Sequence, residues 1–248
     1  SQRVTVTTDV LRLVLDGEGA YTAVDGERTT MRRGDFIITP AWTWHDHGNL
    51  GEQPVVWLDG LDIPLVRFFD AGFAEPGHDL SQGVSRHEGD ALARYGSNMV
   101  PVDFSQPANA PTKVFVYPYA QSRAALQKVA QGAIDAHHGY KQRFVNPATG
   151  ASPMPTMGAF IQWLPKGFES LPYRCTDAIV YVCLEGEGEA LVGEQLLHFQ
   201  ENDVFVVPSW SSLQLRAKRQ AILFSYSDRP AQQAVGLWRE ERMARAPA

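Results

Sequence analysis

Cysteine and long apolar runs are both scarce in this sequence, and each scarcity excludes a class of protein. The two cysteines, Cys175 and Cys183, stand in apolar, strand-like sequence. A structural disulfide is therefore not expected, and a reducing, cytoplasmic location is predicted. No apolar run approaches the roughly 20 residues that a membrane-spanning helix requires, so a membrane protein of that kind is not expected.

Basic charge is lacking as well. There are 22 Lys and Arg residues against 28 Asp and Glu, which gives a net charge of −6, and no basic stripe runs through the sequence. Nucleic acid is therefore an unexpected partner. The remaining composition is ordinary for a soluble protein: 44% of the 248 residues are hydrophobic and 20% are charged. A chain of this length and composition can bury a substantial core in one large domain or two small ones.

Glycine and proline punctuate short runs that are typical of β-strands. An apolar run at residues 11–15 ends in a glycine-rich turn, and a second run at 20–24 ends at Asp25 and Gly26, which is a strong hairpin signal. Gly34 opens a further strand that Pro40 stops. Short strands at this spacing predict an all-β barrel or sandwich and argue against alternating strands and helices.

An internal repeat is the most informative feature of the sequence. Residues 15–19, Leu-Asp-Gly-Glu-Gly, recur at 184–188 as Leu-Glu-Gly-Glu-Gly, and residues 35–42 recur at 203–210 at nearly the same offset. Two matches in the same order predict two copies of one small β-domain. The sequence predicts a first copy at 1–75, a mixed linker at 76–155 with a short helix near 121–136, and a second copy at 156–248 with a C-terminal helix over 232–243.

The richest motif runs from residue 34 to residue 49. It holds a glycine, a strand, a proline and a turn, followed by His45 and by Asn49 four residues later, and it looks like the second cupin motif. Further stretches match one family of cupin enzymes closely; they are residues 17–28, 57–65, 146–150 and 223–240. On these motifs, nearly the whole chain resembles the gentisate 1,2-dioxygenase family, which includes salicylate and 1-hydroxy-2-naphthoate dioxygenases. The resemblance implies a bicupin of two jelly-roll barrels whose first barrel is incomplete, without its outer strands.

The resemblance also implies a chemistry. Such enzymes hold Fe(II) on three histidine nitrogens in the first barrel and leave open positions on the metal. A 2-hydroxybenzoate substrate chelates the iron through its carboxylate and ortho-hydroxyl groups, O₂ binds beside it, and the ring opens between the two carbons that carry those groups. Imidazole ligands and open positions suit this reaction. The implied partners are an aromatic hydroxy acid, O₂ and further copies of the chain, since the family forms tetramers.

Family roles can be carried onto four residues, and a fifth is a candidate by position. His45 fits the metal ligand of the second motif, and His47 follows on the same strand face, near substrate and oxygen. Arg12 matches the arginine that pairs with the substrate carboxylate. Asp59 matches an acidic residue that supports the site, by orienting His47. Trp44 adjoins His45 and is a further candidate for substrate contact, with burial in the core as the alternative.

The family's other two metal ligands have no counterpart here. Counting back from Arg12, the family's two histidines should fall at Val4 and Val6, and valine cannot bind a metal. The family also has a sizeable N-terminal segment, which contributes to substrate binding and is absent from this sequence. One hypothesis is a frameshift, since Val-Thr-Val-Thr can be encoded by bases that read His-Arg-His in another frame. By the repeat, Val4, Val6 and His45 correspond to Tyr173, Cys175 and Leu213, so the second copy also lacks a metal site.

The sequence therefore leaves three alternative functions open. The first is ring cleavage with Fe(II) and O₂. The second is a catalytically inactive bicupin that lacks a complete metal site and binds a small acid or nothing. The third is a structural subunit that assembles through exposed barrel edges. Because one imidazole is a poor iron site, weak iron binding is predicted, with Arg12, His45 and His47 facing one cavity.

Overall fold

The structure is a computed structural model that describes residues 3–107 and 110–244. The chain divides into two compact units. The first holds the residues up to Gln121 together with Val145–Met154, and the second holds Ser122–Phe144 together with the residues from Pro155 onward. Each unit is an antiparallel β-structure of its own.

The first unit is made of short strands joined by tight turns. At the hairpin predicted at Asp25 and Gly26, both residues have positive φ, +44° and +85°, which is the turn that suits the twist of two paired strands. The elements of this unit are β1 (Val4–Val6), β2 (Val10–Asp16), β3 (Ala20–Val24), β4 (Glu27–Thr30), β5 (Phe36–Thr39), β6 (His45–Asn49), β7 (Val56–Leu61), α1 (Ile63–Phe68), β8 (Ala74–Pro76), α2 (Asp90–Tyr95) and β9 (Val116–Tyr117).

Two sheets form the first barrel. One has the strand order β4-β3-β6-β1-β8, and the other has the order β7-β2-β5-β9. Val14 and Ile37 from the second sheet meet Ala20 from the first in a cluster that also holds Met31. All four are almost completely buried. The alternation along each strand therefore sends one set of side chains between the sheets, which is where the barrel's core lies.

The second unit repeats this plan with additional strands. Helix α3 (Tyr119–Val129) lies at its start, and it covers the first part of the helix predicted near residues 121–136 and ends seven residues earlier. The further elements are β10 (Tyr140–Arg143), β11 (Gly158–Leu164), β12 (Tyr173–Cys175), β13 (Ile179–Glu185), β14 (Glu187–Val192), β15 (Gln195–Gln200), β16 (Val204–Val207), β17 (Leu213–Ala217), β18 (Ala221–Ser227), α4 (Arg229–Ala234) and β19 (Glu240–Arg242). Its sheets have the orders β10-β11-β18-β13-β16 and β15-β14-β17-β12-β19.

The predicted repeat is confirmed strand by strand. Strands β2 and β13 each pair with an early and a late strand of their unit, and each carries a register shift close to its end. Gly17 and Gly186 follow those ends with φ of +89° and +85°. Residues 15–19 and 184–188 thus form the same turn in the two units, and the bicupin architecture expected from the sequence is the one observed.

The outer strands distinguish the two barrels. In the second unit, β18 pairs on its outer side with β11, which pairs in turn with β10. The corresponding strand of the first unit is β7, whose hydrogen-bonded neighbour is β2. Within residues 3–107 and 110–244, no strand pairs with the other edge of β7. This agrees with the incomplete first barrel that the sequence predicts.

Two details differ from the sequence prediction. The segment at 76–155 is shared between the two units, because β8 pairs with β1 and β10 pairs with β11. The C-terminal helix predicted over 232–243 is wrong: α4 ends at Ala234, and Gly236 then takes a positive φ of +73°. The chain continues as β19, which hydrogen-bonds to the edge of β12. Cys175 and Cys183 are both buried.

Candidate active site in the first barrel

Arg12 is the centre of the polar cluster inside the first barrel. Its strand β2 pairs with β7 so that Arg12 lies directly opposite Asp59. The guanidinium Nε donates to Asp59 Oδ1 at 2.7 Å and Nη2 donates to Oδ2 at 2.9 Å, which is the two-pronged geometry that suits these groups. One face of the guanidinium lies 4.9 Å from the ring centre of Trp57. Only 4% of the surface of Arg12 is exposed. Burial and these contacts together hold its guanidinium in one orientation.

His47 lies against the third nitrogen of this guanidinium. Arg12 Nη1 is 2.8 Å from His47 Nδ1 and also donates to Thr22 Oγ1 at 3.1 Å. Thr22 Oγ1 is itself 2.5 Å from His47 Nδ1. A guanidinium can only donate hydrogen bonds, so it favours a neutral imidazole beside it. Burial, and then the charge of Arg12, lower the pKa of His47 to about 3.

His45 presents the nitrogen that a metal would need. Its Nδ1 lies 3.1 Å from the carbonyl oxygen of Thr43. A carbonyl can only accept, so this contact places the proton on Nδ1 and leaves the lone pair on Nε2. Burial lowers the pKa of His45 below its usual value. The rings of His45 and His47 are 5.4 Å apart, so both face the same interior.

The strand that should supply the other ligands lies in place but carries valines. Val4, one of the two positions that the count back from Arg12 assigns to the family's histidines, pairs directly on β1 with His45 on β6. Val6 shares the face of Val4 because side chains alternate along a strand. In the part of the chain that the structure describes, no group of three or more His, Cys, Asp or Glu side chains could hold a metal ion.

Four of the five residues singled out in the sequence come together. Arg12, His45, His47 and Asp59 form one cluster. Asp59 was expected to orient His47. In the structure the carboxylate of Asp59 binds Arg12, and Arg12 in turn contacts His47. Asp59 therefore acts on His47 through Arg12. The ring of Trp44 instead packs against the guanidinium of Arg3, whose Cζ lies 4.4 Å from the centre of that ring. Substrate contact by Trp44 stays a prediction.

Thr22 is the site residue that the sequence interpretation missed. It is fully buried, and β3 pairs with β6 so that Thr22 lies opposite His47. The signal was available: Ala20, Thr22 and Val24 alternate along β3, and Thr22 is the polar member of an otherwise apolar inward face. A hydroxyl at such a position requires a polar partner, and the pairing of the strands shows that this partner is His47.

The chain is similar in sequence to known proteins over most of its length. The family model described as "Cupin domain" matches residues 7–61. Gentisate 1,2 dioxygenase 1 from Aquipseudomonas alcaligenes is 50% identical over 233 residues, which are 94% of this chain and 67% of that protein. A 1-hydroxy-2-naphthoate 1,2-dioxygenase from Nocardioides sp. (strain KP7) is 33% identical over 95% of this chain and 61% of its own length.

Solved structures agree as well. A salicylate 1,2-dioxygenase from Pseudaminobacter salicylatoxidans superposes with a TM-score of 0.91 at 29% identity, covering 98% of this chain and 71% of that one. A structure of the salicylate 1,2-dioxygenase with gentisate superposes with a TM-score of 0.89 at 28% identity, covering 97% and 68% of the two chains. The chain spans 61–68% of the length of the curated relatives that it matches. None of the helices among the described residues has the length and hydropathy of a membrane span.

Proposed function

Because this chain belongs to the gentisate 1,2-dioxygenase family of ring-cleaving bicupins, we propose that its first barrel binds a 2-hydroxybenzoate-type aromatic acid. Ring cleavage with Fe(II) and O₂ is the reaction that such a site serves once its metal ligands are complete. The observation that carries the proposal is the buried cluster of Arg12, His47, Thr22 and Asp59 beside His45.

Arg12 supports the choice of an acid as ligand. It is a buried cation that is fixed by Asp59 and by the ring of Trp57. Asp59 is one-third exposed in its side chain, so the ion pair lies at the edge of the interior. A carboxylate that reaches Arg12 meets a donor that has already been oriented, which lowers the entropy lost on binding. Gentisate, salicylate and hydroxynaphthoate are the acids named for the relatives, and all three carry an ortho-hydroxyl group.

The metal that this family uses does not fit the residues of this chain. His45 has the correct tautomer for a ligand, but Val4 stands where a second nitrogen is required and Val6 where a third is required. Iron sites of this kind depend on several convergent ligands for affinity and geometry. We therefore assign no catalytic step to a metal in this chain. The homo-oligomer and the cytoplasmic location also stay predictions.

The same valines favour a second candidate function. A bicupin that retains Arg12 and loses two metal ligands can bind an aromatic acid without cleaving it. Val4 and Val6 are partly buried β-branched residues on a paired strand, so they stabilise the strand that would otherwise carry the ligands.

Restoring the ligands separates the two candidates. The double variant Val4→His and Val6→His would be loaded anaerobically with Fe(II) beside the unmodified chain, and iron content, gentisate binding and gentisate-dependent O₂ uptake would be measured. The double variant Val4→Leu and Val6→Leu is the matched control for altered packing. We expect gentisate binding in all three proteins, and stoichiometric iron and O₂ uptake in the histidine variant alone.

Each outcome decides between the candidates. O₂ uptake by the histidine variant shows that the remaining site is that of a ring-cleaving enzyme. Iron binding without O₂ uptake favours the acid-binding protein without catalysis. Tight iron and rapid turnover in the unmodified chain would show that ligands other than His45 complete its site. Failure of all three proteins to bind gentisate, salicylate or hydroxynaphthoate would contradict the proposed substrate class.

A further inference from the structure

The interior of the second barrel carries a row of polar side chains on a sheet that is otherwise apolar. Lys141 on β10 lies opposite Gln162 on β11. Two residues before Gln162 on β11, Phe160 lies opposite Ser225 on β18. On its other side, Ser225 lies opposite Tyr181 on β13. Partners across paired strands share a face of the sheet. Tyr181 belongs to the buried core of this barrel, so all five side chains point inward.

Two of these polar groups have hydrogen bonds left unmade. Gln162 and Ser225 are each only 1% exposed. Gln162 Nε2 donates to the carbonyl oxygen of His138 at 3.1 Å, while its Oε1 has no partner among the described residues. Ser225 Oγ also has none there. A buried polar atom without a partner costs free energy, so such atoms indicate a bound water, ion or ligand.

The ammonium of Lys141 adds charge at the same place. Its Nζ lies 3.4 Å from Tyr181 Oη and 5.0 Å from the ring centre of Phe160. In residues 3–107 and 110–244, no carboxylate forms an ion pair with it. Burial, and then the nearby charge of Arg229, lower the pKa of Lys141 to about 8, which leaves it mostly protonated at neutral pH. A buried cation without a counter-charge is unfavourable unless an anion joins it.

The neighbouring charges leave this cation uncompensated. The buried carboxylate of Asp177 is already engaged, because it accepts from Arg229 Nε at 3.3 Å and from Trp238 Nε1 at 2.7 Å. Arg229 Nη2 also donates to Tyr173 Oη at 3.3 Å. The Arg229–Asp177 pair is neutral as a whole, so among these three side chains Lys141 supplies the net positive charge.

We propose that the second barrel binds a small organic carboxylate between Lys141, Ser225 and Gln162. The ammonium and the serine hydroxyl would donate to the carboxylate. Gln162 Oε1 would accept from a hydroxyl group of the ligand or from a water beside it. The rings of Phe160 and Tyr181 would flank its apolar part. This site requires no metal and is independent of the function proposed for the first barrel.

Ligand-observed ¹⁹F NMR on the full chain tests the site, with fluoroacetate and 4-fluorobenzoate as probes. The variants are Lys141→Met, in which a buried charge is replaced by an apolar side chain of similar length, and Lys128→Met as the control. Lys128 is exposed on α3. Replacing a buried charge by an apolar group is often neutral or stabilising, so Lys141→Met is expected to fold. Arg12→Met is included to exclude binding in the first barrel.

We expect at least one probe to bind to the unmodified chain, to Lys128→Met and to Arg12→Met. In the Arg12→Met background, in which the first barrel lacks its arginine, we expect Lys141→Met to bind the probe about tenfold more weakly or not at all, the size of effect that one charged hydrogen bond has. Crystals soaked with 4-bromobenzoate would locate a bound probe by its bromine signal. Unchanged binding when Lys141→Met is added to Arg12→Met, loss of binding in Arg12→Met alone, displacement by an equal concentration of chloride, or no binding of either probe would each overturn the proposal.

Discussion

The two barrels place different chemistry on one strand framework. Arg12 of β2 and Tyr181 of β13 hold the same position, and their partners across the sheet are Asp59 and Ser225. The first barrel thus neutralises its buried cation within the site. In the second barrel these two positions hold the uncharged residues Tyr181 and Ser225. Its inward-facing cation, Lys141, lies on the additional strand β10.

The opposite sheets differ in the same direction. In the first barrel β6 presents His45 and His47, with Thr22 beside them on β3. The corresponding positions of the second barrel are all apolar: Leu213, Leu215 and Ala190. The two barrels therefore share their turns and strand pairing. They differ at a few inward-facing positions, and the residues at those positions determine which sheet of each barrel is polar.

The largest expected difference concerns the ion pairs. Asp177 has a completely buried side chain, whereas that of Asp59 is one-third exposed. Asp177→Ala removes the carboxylate partner of Arg229, whose side chain is 18% exposed, which should cost about 3–5 kcal/mol of unfolding free energy. Asp59→Ala should cost less, about 1–2 kcal/mol, because water and Thr22 still reach Arg12. Urea denaturation of the two variants measures this, and equal losses would break the contrast between the barrels.

The turns should instead behave alike in both barrels. A methyl group added to Gly17 would lie 2.4 Å from the carbonyl oxygen of Pro54, and one added to Gly186 would lie 2.0 Å from that of Gln220. Both glycines also have positive φ. Gly17→Ala and Gly186→Ala should therefore each cost roughly 2–3 kcal/mol. Gly193→Ala, whose positive φ has open space around it, should cost about 1 kcal/mol in the same denaturation experiment, and a similar loss in all three would contradict the steric explanation.

Features encoded locally could be predicted from the sequence. The repeated turn at 15–19 and 184–188 identified two like domains, because glycine with positive φ and a fixed offset leave few alternatives. Alternation along β6 placed His45 and His47 on one face. The C-terminal helix was predicted wrongly, because residues 232–243 contain helix formers while the free edge of β12 accepts β19. Tertiary pairing outweighed local propensity there.

Features that depend on pairing between distant strands could not be predicted. His137 and His138 stand in the turn between Asp135 and Gly139, and the ring of His138 lies 4.5 Å from that of Tyr173 on a strand distant in sequence. Lys141 reads as an ordinary strand lysine until β10 is paired with β11 and its ammonium turns inward. The polar interior of the second barrel is therefore visible only once the register of its strands is known.

A buried carboxyl group gives the first barrel a pH dependence that the second lacks at the same position. Asp9 immediately precedes β2 and is 4% exposed. Its Oδ1 accepts from the backbone N–H of Ala41 at 2.8 Å. The equivalent residue before β13 is Ala178. Burial raises the pKa of Asp9 from 3.8 to about 6, and the charge of Asp62 acts in the same direction, although the N–H of Ala41 opposes it.

The smallest effect follows from that pKa. The folded state holds the proton of Asp9 more tightly than the unfolded state, so its contribution to stability is full below about pH 4 and is lost as pH rises through about 6. The difference in unfolding free energy between the unmodified chain and Asp9→Asn should therefore shift by about 1–3 kcal/mol between pH 4 and 7, in favour of the variant at the higher pH. Asp16→Asn, at an exposed residue of β2, is the matched control for the loss of a carboxyl group. Denaturant titrations across this range measure both, and a flat difference for Asp9→Asn would show that its carboxyl group ionises alike in the folded and unfolded chain.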